Sequence, residues 1–85
     1  MNALPCSEAE FRILAHAGGD KTVVIAWDLR KDHHIVLRLT SPPRSVVLAK
    51  DGNLAPRIFK SKRKCVETAL ALTGITSFRL EGPRG

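Results

Sequence analysis

The chain has 85 residues, of which 44% are hydrophobic, and its 14 Lys and Arg against 8 Asp and Glu give a formal net charge of +6. This length fits one small domain, and the hydrophobic content excludes a disordered chain. The excess of positive charge favours an acidic partner, of which nucleic acid is the commonest, although a basic protein without a polyanionic partner is the alternative.

The first residues predict a flexible leader over 1–7, followed by a short helix over 8–17. Ser7 and Glu10 have the spacing of a capping box, and Gly18-Gly19 can end the helix. A strand is the competing interpretation, because apolar residues in this stretch also alternate: Phe11, Ile13, Ala15 and Ala17.

The middle of the chain predicts strands, because its apolar runs are rich in β-branched residues. We expect four of them, at 22–29, 34–40, 45–50 and 55–61. Short polar, proline-rich or glycine-containing links separate them, at 30–33, 41–44 and 51–53. Hairpin-length links indicate a mostly antiparallel sheet.

The end of the chain predicts a second helix over 62–73, with Ser61 as its N-cap and Gly74 as its left-handed C-terminal cap. Its expected buried face is Cys65, Val66, Ala69, Leu70, Leu72 and Thr73. A last strand over 75–81 and a flexible tail over 82–85 follow. The predicted fold is a small two-layer α+β domain over residues 8–81. Its sheet has four or five strands, with the C-terminal helix packed on one face.

The run RIFKSKRK, residues 57–64, places five cations around the start of the second helix: Arg57, Lys60, Lys62, Arg63 and Lys64. Cations are unfavourable there by about 0.3–1 kcal/mol each, because the helix dipole is positive at its N-terminus. A bound anion reverses the sign of that interaction. We therefore predict that these cations, the hydroxyl of Ser61 and the amides of residues 62–64 bind phosphate.

Further cations extend the predicted site. Arg44, Lys50 and Arg57 flank one expected hairpin, and a second tip carries Arg30, Lys31, His33 and His34. If both tips lie on one side, the basic face is broad, whereas tips on opposite sides leave one local spot. Phosphate contacts position a duplex without reading its bases. Asn53 and Arg57 are the candidates for base readout.

No catalytic or metal-binding constellation is evident, so we predict that the protein is not an enzyme and needs no cofactor. His33 and His34 are adjacent and would point to opposite faces of a strand, and we expect solvated imidazoles at a turn. Cys65 follows Arg63 and Lys64, which would lower the pKa of its thiol, but a small core residue is the favoured interpretation.

Targeting signals are also lacking in this sequence. Its N-terminal residues do not have the pattern of a signal peptide, and no apolar run is long enough to span a membrane. Cys6 and Cys65 have no CxxC spacing. We expect a soluble, cytoplasmic protein with reduced thiols.

The segment VVLAKDGNLAPRIFKSKRKCVETALALTGITSFRLE, residues 46–81, resembles accessory proteins of plasmids and other mobile elements, namely ParC-like partition proteins. It also resembles DNA-binding domains of the AP2 and integrase-arm type, in which three strands pack on a helix that FKS opens. The first resemblance implies a role in plasmid maintenance. The second implies that a sheet enters the major groove.

Together these observations predict a DNA-binding accessory protein of a mobile element that contacts the phosphate backbone. A homodimer through the edge of strand 22–29 or through Trp27 is expected, because the domain is small. The alternative is an interaction module or inhibitor that binds an acidic protein surface. A thiol enzyme at Cys65 is the third interpretation.

Overall fold

The computed structural model describes residues 4–40, 43–50 and 55–82, which form a small α+β domain with five strands and two helices. The strands are β1 (Leu4–Cys6), β2 (Lys21–Trp27), β3 (His33–Thr40), β4 (Pro43–Leu48) and β5 (Phe78–Glu81). The helices are α1 (Glu8–His16) and α2 (Lys62–Thr73).

The sheet is mixed, with the strand order β1-β4-β3-β2-β5. The pairs β2–β3 and β3–β4 are antiparallel, as the short links predict. Both outer pairs, β1–β4 and β2–β5, are parallel, so the prediction of a mostly antiparallel sheet is wrong. Parallel pairs need crossover connections, and α1 and α2 lie within those connections.

Three sequence predictions differ from the observed elements. Residues 4–6, expected in a flexible leader, form β1. The expected strand at 55–61 forms only isolated bridges, which pair Pro56 with Ala49 and Phe59 with His33. Pro56 has no N–H to donate to a ladder, which is one reason why no regular strand forms there. The strand predicted over 22–29 lies between β3 and β5 as β2, so it offers no free edge for a dimer.

Both helices contribute buried side chains to one core cluster. Phe11 and Ala15 come from α1, and Cys65, Ala69 and Leu72 come from α2. They meet one face of the sheet, which supplies Val23, Ile25, Ile35, Leu37, Val46 and Leu48. Side chains alternate across a strand, so these residues define the helix-covered face.

The other face carries a row of three valines across the central strands, in which Val24 pairs with Val36 and Val36 with Val47. Arg38 lies on the same face and makes two hydrogen bonds of 2.6 Å to the carboxylate oxygens of Glu81. Because Arg38 is in β3 and Glu81 in β5, this ion pair crosses β2. A bidentate pair of this kind is stronger and geometrically more specific than a single hydrogen bond, so it stabilises the position of β5 in the sheet.

Both N-caps and the C-cap of α2 agree with the sequence prediction, whereas α1 ends at His16 with Ala17, and not Gly18-Gly19, as its C-cap. Ser7 and Ser61 accept hydrogen bonds from the N–H groups of Glu10 and Lys64, three residues further on in each case. Gly74 adopts the left-handed conformation at φ 69°, and its N–H bonds to the carbonyl of Leu70. Gly74 therefore closes α2 and turns the chain toward β5.

Replacing Gly74 with alanine should lower the free energy of unfolding by about 1–2 kcal/mol, because a side chain is strained in the left-handed region. Urea denaturation followed by circular dichroism measures the change. Gly18→Ala is the matched control, since Gly18 does not have a positive φ and an added Cβ would meet no atom within 4 Å. Equal stabilities of the two variants would contradict this account of the cap.

Candidate nucleic-acid interface

The two predicted basic tips lie at the same end of the sheet. Trp27, the last residue of β2, pairs with His33, the first residue of β3, so the link 28–32 is at this end. Two main-chain hydrogen bonds of 2.8 Å between His33 and Phe59 hold the segment that precedes α2 beside it. β4 also ends here, where the N–H of Arg57 bonds to the carbonyl of Leu48 at 2.8 Å.

Eight cations are gathered by this arrangement, and we call them the basic end. They are Arg30, Lys31, Lys50, Arg57, Lys60, Lys62, Arg63 and Lys64. Of the other predicted site residues, Arg44 lies at the opposite end of the sheet, next to the start of β4, and Asn53 lies outside the described residues. Of the two predicted arrangements, a broad basic face or one local spot, the topology favours the broad basic face. Arg44 is not part of that face.

Carboxylates of the same chain neutralise part of this charge. Lys60 forms an ion pair with Asp32, and Arg63 pairs with Glu67 at 3.2 Å. Arg57 approaches Glu8 at 3.9 Å. Asp28 is the fourth carboxylate in contact with the set, since its Oδ1 accepts from the N–H of Arg30. Among the described residues, these eight cations and four carboxylates leave an excess of four positive charges.

Arg30 contacts Asp28 through its main-chain N–H; among the described residues its guanidinium has no ion pair, although the charges of Arg30 and Asp28 lie close enough to interact. The four remaining cations of the basic end are lysines. Among the described residues, no carboxylate lies within ion-pair distance of Lys31, Lys50, Lys62 or Lys64. Lys62 instead places its Nζ 5.9 Å from the centre of the Trp27 ring. Lys50 lines a cleft of about 260 Å³ together with Glu8, Ala49 and Arg57. These four lysines are the cations most available to an external anion.

The link 28–32 is a structured turn. Oδ1 of Asp28 accepts hydrogen bonds from the N–H groups of Asp32 at 3.1 Å and Arg30 at 2.9 Å. The bond from Asp32 has the largest effect and lowers the pKa of Asp28; desolvation opposes it, and the bond from Arg30 and the charges of Arg30 and Lys60 add to the lowering, so the pKa stays below its usual value. Lys31 has a positive φ of 62° in this turn. Asp28 is not among the predicted site residues, although an Asp that starts a polar link is a known turn signal.

The start of α2 has the predicted composition, with no acidic residue in its first turn. The Oγ of Ser61 already accepts from the N–H of Lys64 at 3.3 Å, so this amide is occupied. The hydroxyl hydrogen of Ser61 stays free to donate, as do the amides of Lys62 and Arg63, which lie too early in the helix to bond within it. The predicted phosphate site therefore loses one hydrogen-bond donor, the amide of Lys64, and keeps the amides of Lys62 and Arg63 and the hydroxyl of Ser61.

The two histidines of β3 are not solvated turn residues, which corrects the sequence prediction. His33 is buried, with its ring 5.8 Å from that of Trp27, and its Nδ1 has no hydrogen-bond partner among the described residues. His34 is half-buried on the opposite face, and burial lowers its pKa, opposed by the charge of Asp28. Among the described residues, no group of three or more His, Cys, Asp or Glu side chains could hold a metal ion.

The thiol of Cys65 is fully buried beneath α2, and burial raises its pKa to about 12. The expectation that Arg63 and Lys64 would lower this pKa is therefore wrong, since burial dominates. Burial, with a smaller effect of the charge of Glu10, raises the pKa of Cys6 to about 11. Both thiols are core groups.

Comparison with known proteins adds no identification: no family model, no curated protein and no solved structure matches this chain. No helix in the described ranges is long and apolar enough to cross a membrane.

Neither cysteine of the native chain should react with Ellman's reagent at pH 8 within minutes. The thiolate fraction at this pH is on the order of one in a thousand or less, and both thiols are shielded. Addition of urea should release two thiols per chain. Rapid stoichiometric labelling of a cysteine in the native protein would contradict the burial of the thiols and would favour the thiol-enzyme interpretation.

Proposed function

We propose that this chain is a non-enzymatic DNA-binding protein that contacts the phosphate backbone through the basic end. The observation that carries the proposal is the convergence of the turn 28–32, the segment 55–61 and the first turn of α2 at one end of the sheet. Among the described residues, that end holds eight cations and keeps an excess of four positive charges after the four carboxylates in contact with them are counted.

The electrostatics of α2 support the same proposal. Lys62, Arg63 and Lys64 oppose the helix dipole, and Glu67 compensates Arg63 alone. A phosphate at this position would accept from the free amides of the first turn while it relieves the repulsion between the lysines. Backbone phosphates of DNA supply several such anions in a row, about one per 1.7 Å of duplex axis.

The open face of the sheet is a weaker candidate for entry into a groove. Its cations Arg38 and Arg79 both bind the carboxylate of Glu81, at 2.6 Å and 3.2 Å. Guanidinium groups held in this way are less free to contact bases or phosphates. We therefore assign phosphate contact to the basic end and no base readout to the sheet, so that binding is largely independent of sequence.

The biological setting we propose is an accessory role in a plasmid or another mobile element, such as partition or maintenance. Its support is the resemblance of residues 46–81 to partition accessory proteins. The rate at which the carrier element is lost, measured with and without the gene, tests this part of the proposal.

The binding itself is tested by the affinity for a random duplex at several salt concentrations. A protein that contacts phosphates through the four free lysines should give a slope of log K against log salt of about −3 to −4, since each neutralised phosphate contributes about −0.9. Absence of binding at low salt would overturn the DNA proposal and favour an acidic protein surface as the partner.

Replacing Lys31 and Lys64 with glutamine should reduce this slope by about two units, uniformly across DNA sequences. The matched control is the pair Arg12→Gln and Arg44→Gln, which removes the same charge from α1 and from the opposite end of the sheet. Equal losses in both double variants would show that net charge, and not the basic end, determines binding.

A further inference from the structure

The outer edge of β5 has no strand beside it among the described residues. An edge strand presents unpaired N–H and C=O groups, and these can pair with a strand of another chain. β5 has four residues and no proline. The opposite edge differs, because β1 has three residues and its central residue is Pro5, which has no N–H. The edge at β5 is thus the better template for pairing.

Two half-exposed leucines, one on β5 and one on α2, lie on the helix-covered side of the domain. Leu80 of β5 is 48% exposed, although Ile25, its neighbour on β2, is fully buried. Leu70 of α2 is 43% exposed and lies one turn after Val66, on the flank of the helix where Lys62 reaches over Trp27 of β2. Exposed leucines on both layers are typical of a surface that another molecule covers.

The sequence FRLE is complementary to itself when two copies run antiparallel. With Leu80 opposite Leu80 of a second copy, Arg79 lies opposite Glu81 of that copy, and Glu81 opposite its Arg79, so the Arg38–Glu81 and Arg79–Glu81 pairs of the two chains would join into one network of alternating charges. Opposite charges on facing residues stabilise a sheet, and like charges destabilise it. Phe78 would lie opposite Gly82, against which the Trp27 ring of that copy packs.

Other registers are unfavourable for two reasons. A pairing centred on Arg79 sets arginine opposite arginine, and one centred on Glu81 sets glutamate opposite glutamate. A shift by one residue places the helix-covered face of one copy beside the open face of the other, because the side-chain period of a strand is two. The register centred on Leu80 avoids both problems.

We propose that β5 pairs antiparallel with β5 of a second copy of this chain, with Leu80 on the two-fold axis, to give a continuous ten-stranded sheet. The axis is perpendicular to the sheet, so both helix layers lie on the same side and the Leu70 side chains flank the junction. β2 lies inside the sheet, and β5 is the edge strand next to it. The homodimer is therefore assigned to β5 and not to β2. The assignment does not depend on DNA binding.

A cysteine at position 80 tests the register. Facing residues of an antiparallel pair have Cα atoms about 4.5–5.5 Å apart, within the range that a disulfide spans. Leu80→Cys treated with copper phenanthroline, which accepts the two electrons of the thiol pair, should give a covalent dimer that dithiothreitol reverses. Cys6 and Cys65 are buried and should not contribute.

Ile13→Cys is the matched control, because Ile13 is 69% exposed on α1 and lines a cleft with Leu4 and Pro5 of β1, the edge strand opposite β5. Cross-linking of Leu80→Cys well above that of Ile13→Cys is the expected result. Equal cross-linking of the two variants, or a monomeric Leu80→Cys protein, would overturn the proposal.

Sedimentation equilibrium of the Leu80→Lys variant tests the same interface without covalent cross-linking. Two lysines on the two-fold axis should raise the dimer dissociation constant at least about tenfold. Thermal unfolding of the variant checks that the chain still folds, since Leu80 is half-exposed. A wild-type chain that stays monomeric at millimolar concentration, or a variant that dimerises equally well, would reject the interface.

Discussion

Main-chain hydrogen bonds of the segment before α2 determine where the positive charge of this protein lies: two join Phe59 to His33, and one joins Arg57 to Leu48. They attach this segment to the first residue of β3 and to the last residue of β4. The helix must then start at the end of the sheet where the turn 28–32 and the end of β4 already lie. Without that attachment, the run RIFKSKRK would still be basic, but it would not be joined to Arg30, Lys31 and Lys50. The basic end is therefore a consequence of chain topology as much as of composition.

The ion pairs within the basic end set how much of its charge an outside anion can use. Exposed pairs are worth about 0–1 kcal/mol, and Arg63–Glu67 and Arg57–Glu8 are of this kind. A phosphate can replace such a carboxylate at small cost. Asp32 is different, because its side chain is only 14% exposed while Lys60 is 80% exposed. Removing Lys60 from it would leave a buried carboxylate less well compensated. The available charge is therefore concentrated on the lysines without carboxylate partners, with Arg57 and Arg63 as a reserve.

Local signals made α2 predictable and left the sheet edges unpredictable. Ser61, an apolar stripe and Gly74 lie within 14 consecutive residues, and the helix begins and ends as they indicate. β1 has only three residues, Leu4–Cys6, and three residues cannot display a periodicity. The parallel pairing of β2 with β5 joins residues more than 50 positions apart, with no turn to indicate it. The same division applies to the site: the Arg63–Glu67 pair follows from the i, i+4 spacing, whereas Lys60–Asp32 and Arg57–Glu8 depend on the fold.

The proposed dimer and the proposed DNA contact use separate parts of the domain, and the direction of β5 relates them. β5 is parallel to β2 and ends level with Ala26, so it runs toward the basic end. An antiparallel β5 of a second copy runs the opposite way, and the basic end of that copy lies at the far end of the combined sheet. The proposed axis at Leu80 is level with Ile25, two residues before the end of β2, so the two basic ends would lie on either side of the axis and point in opposite directions. If both proposals hold, each end would contact its own set of phosphates, and the dimer would be suited to hold two segments of DNA together.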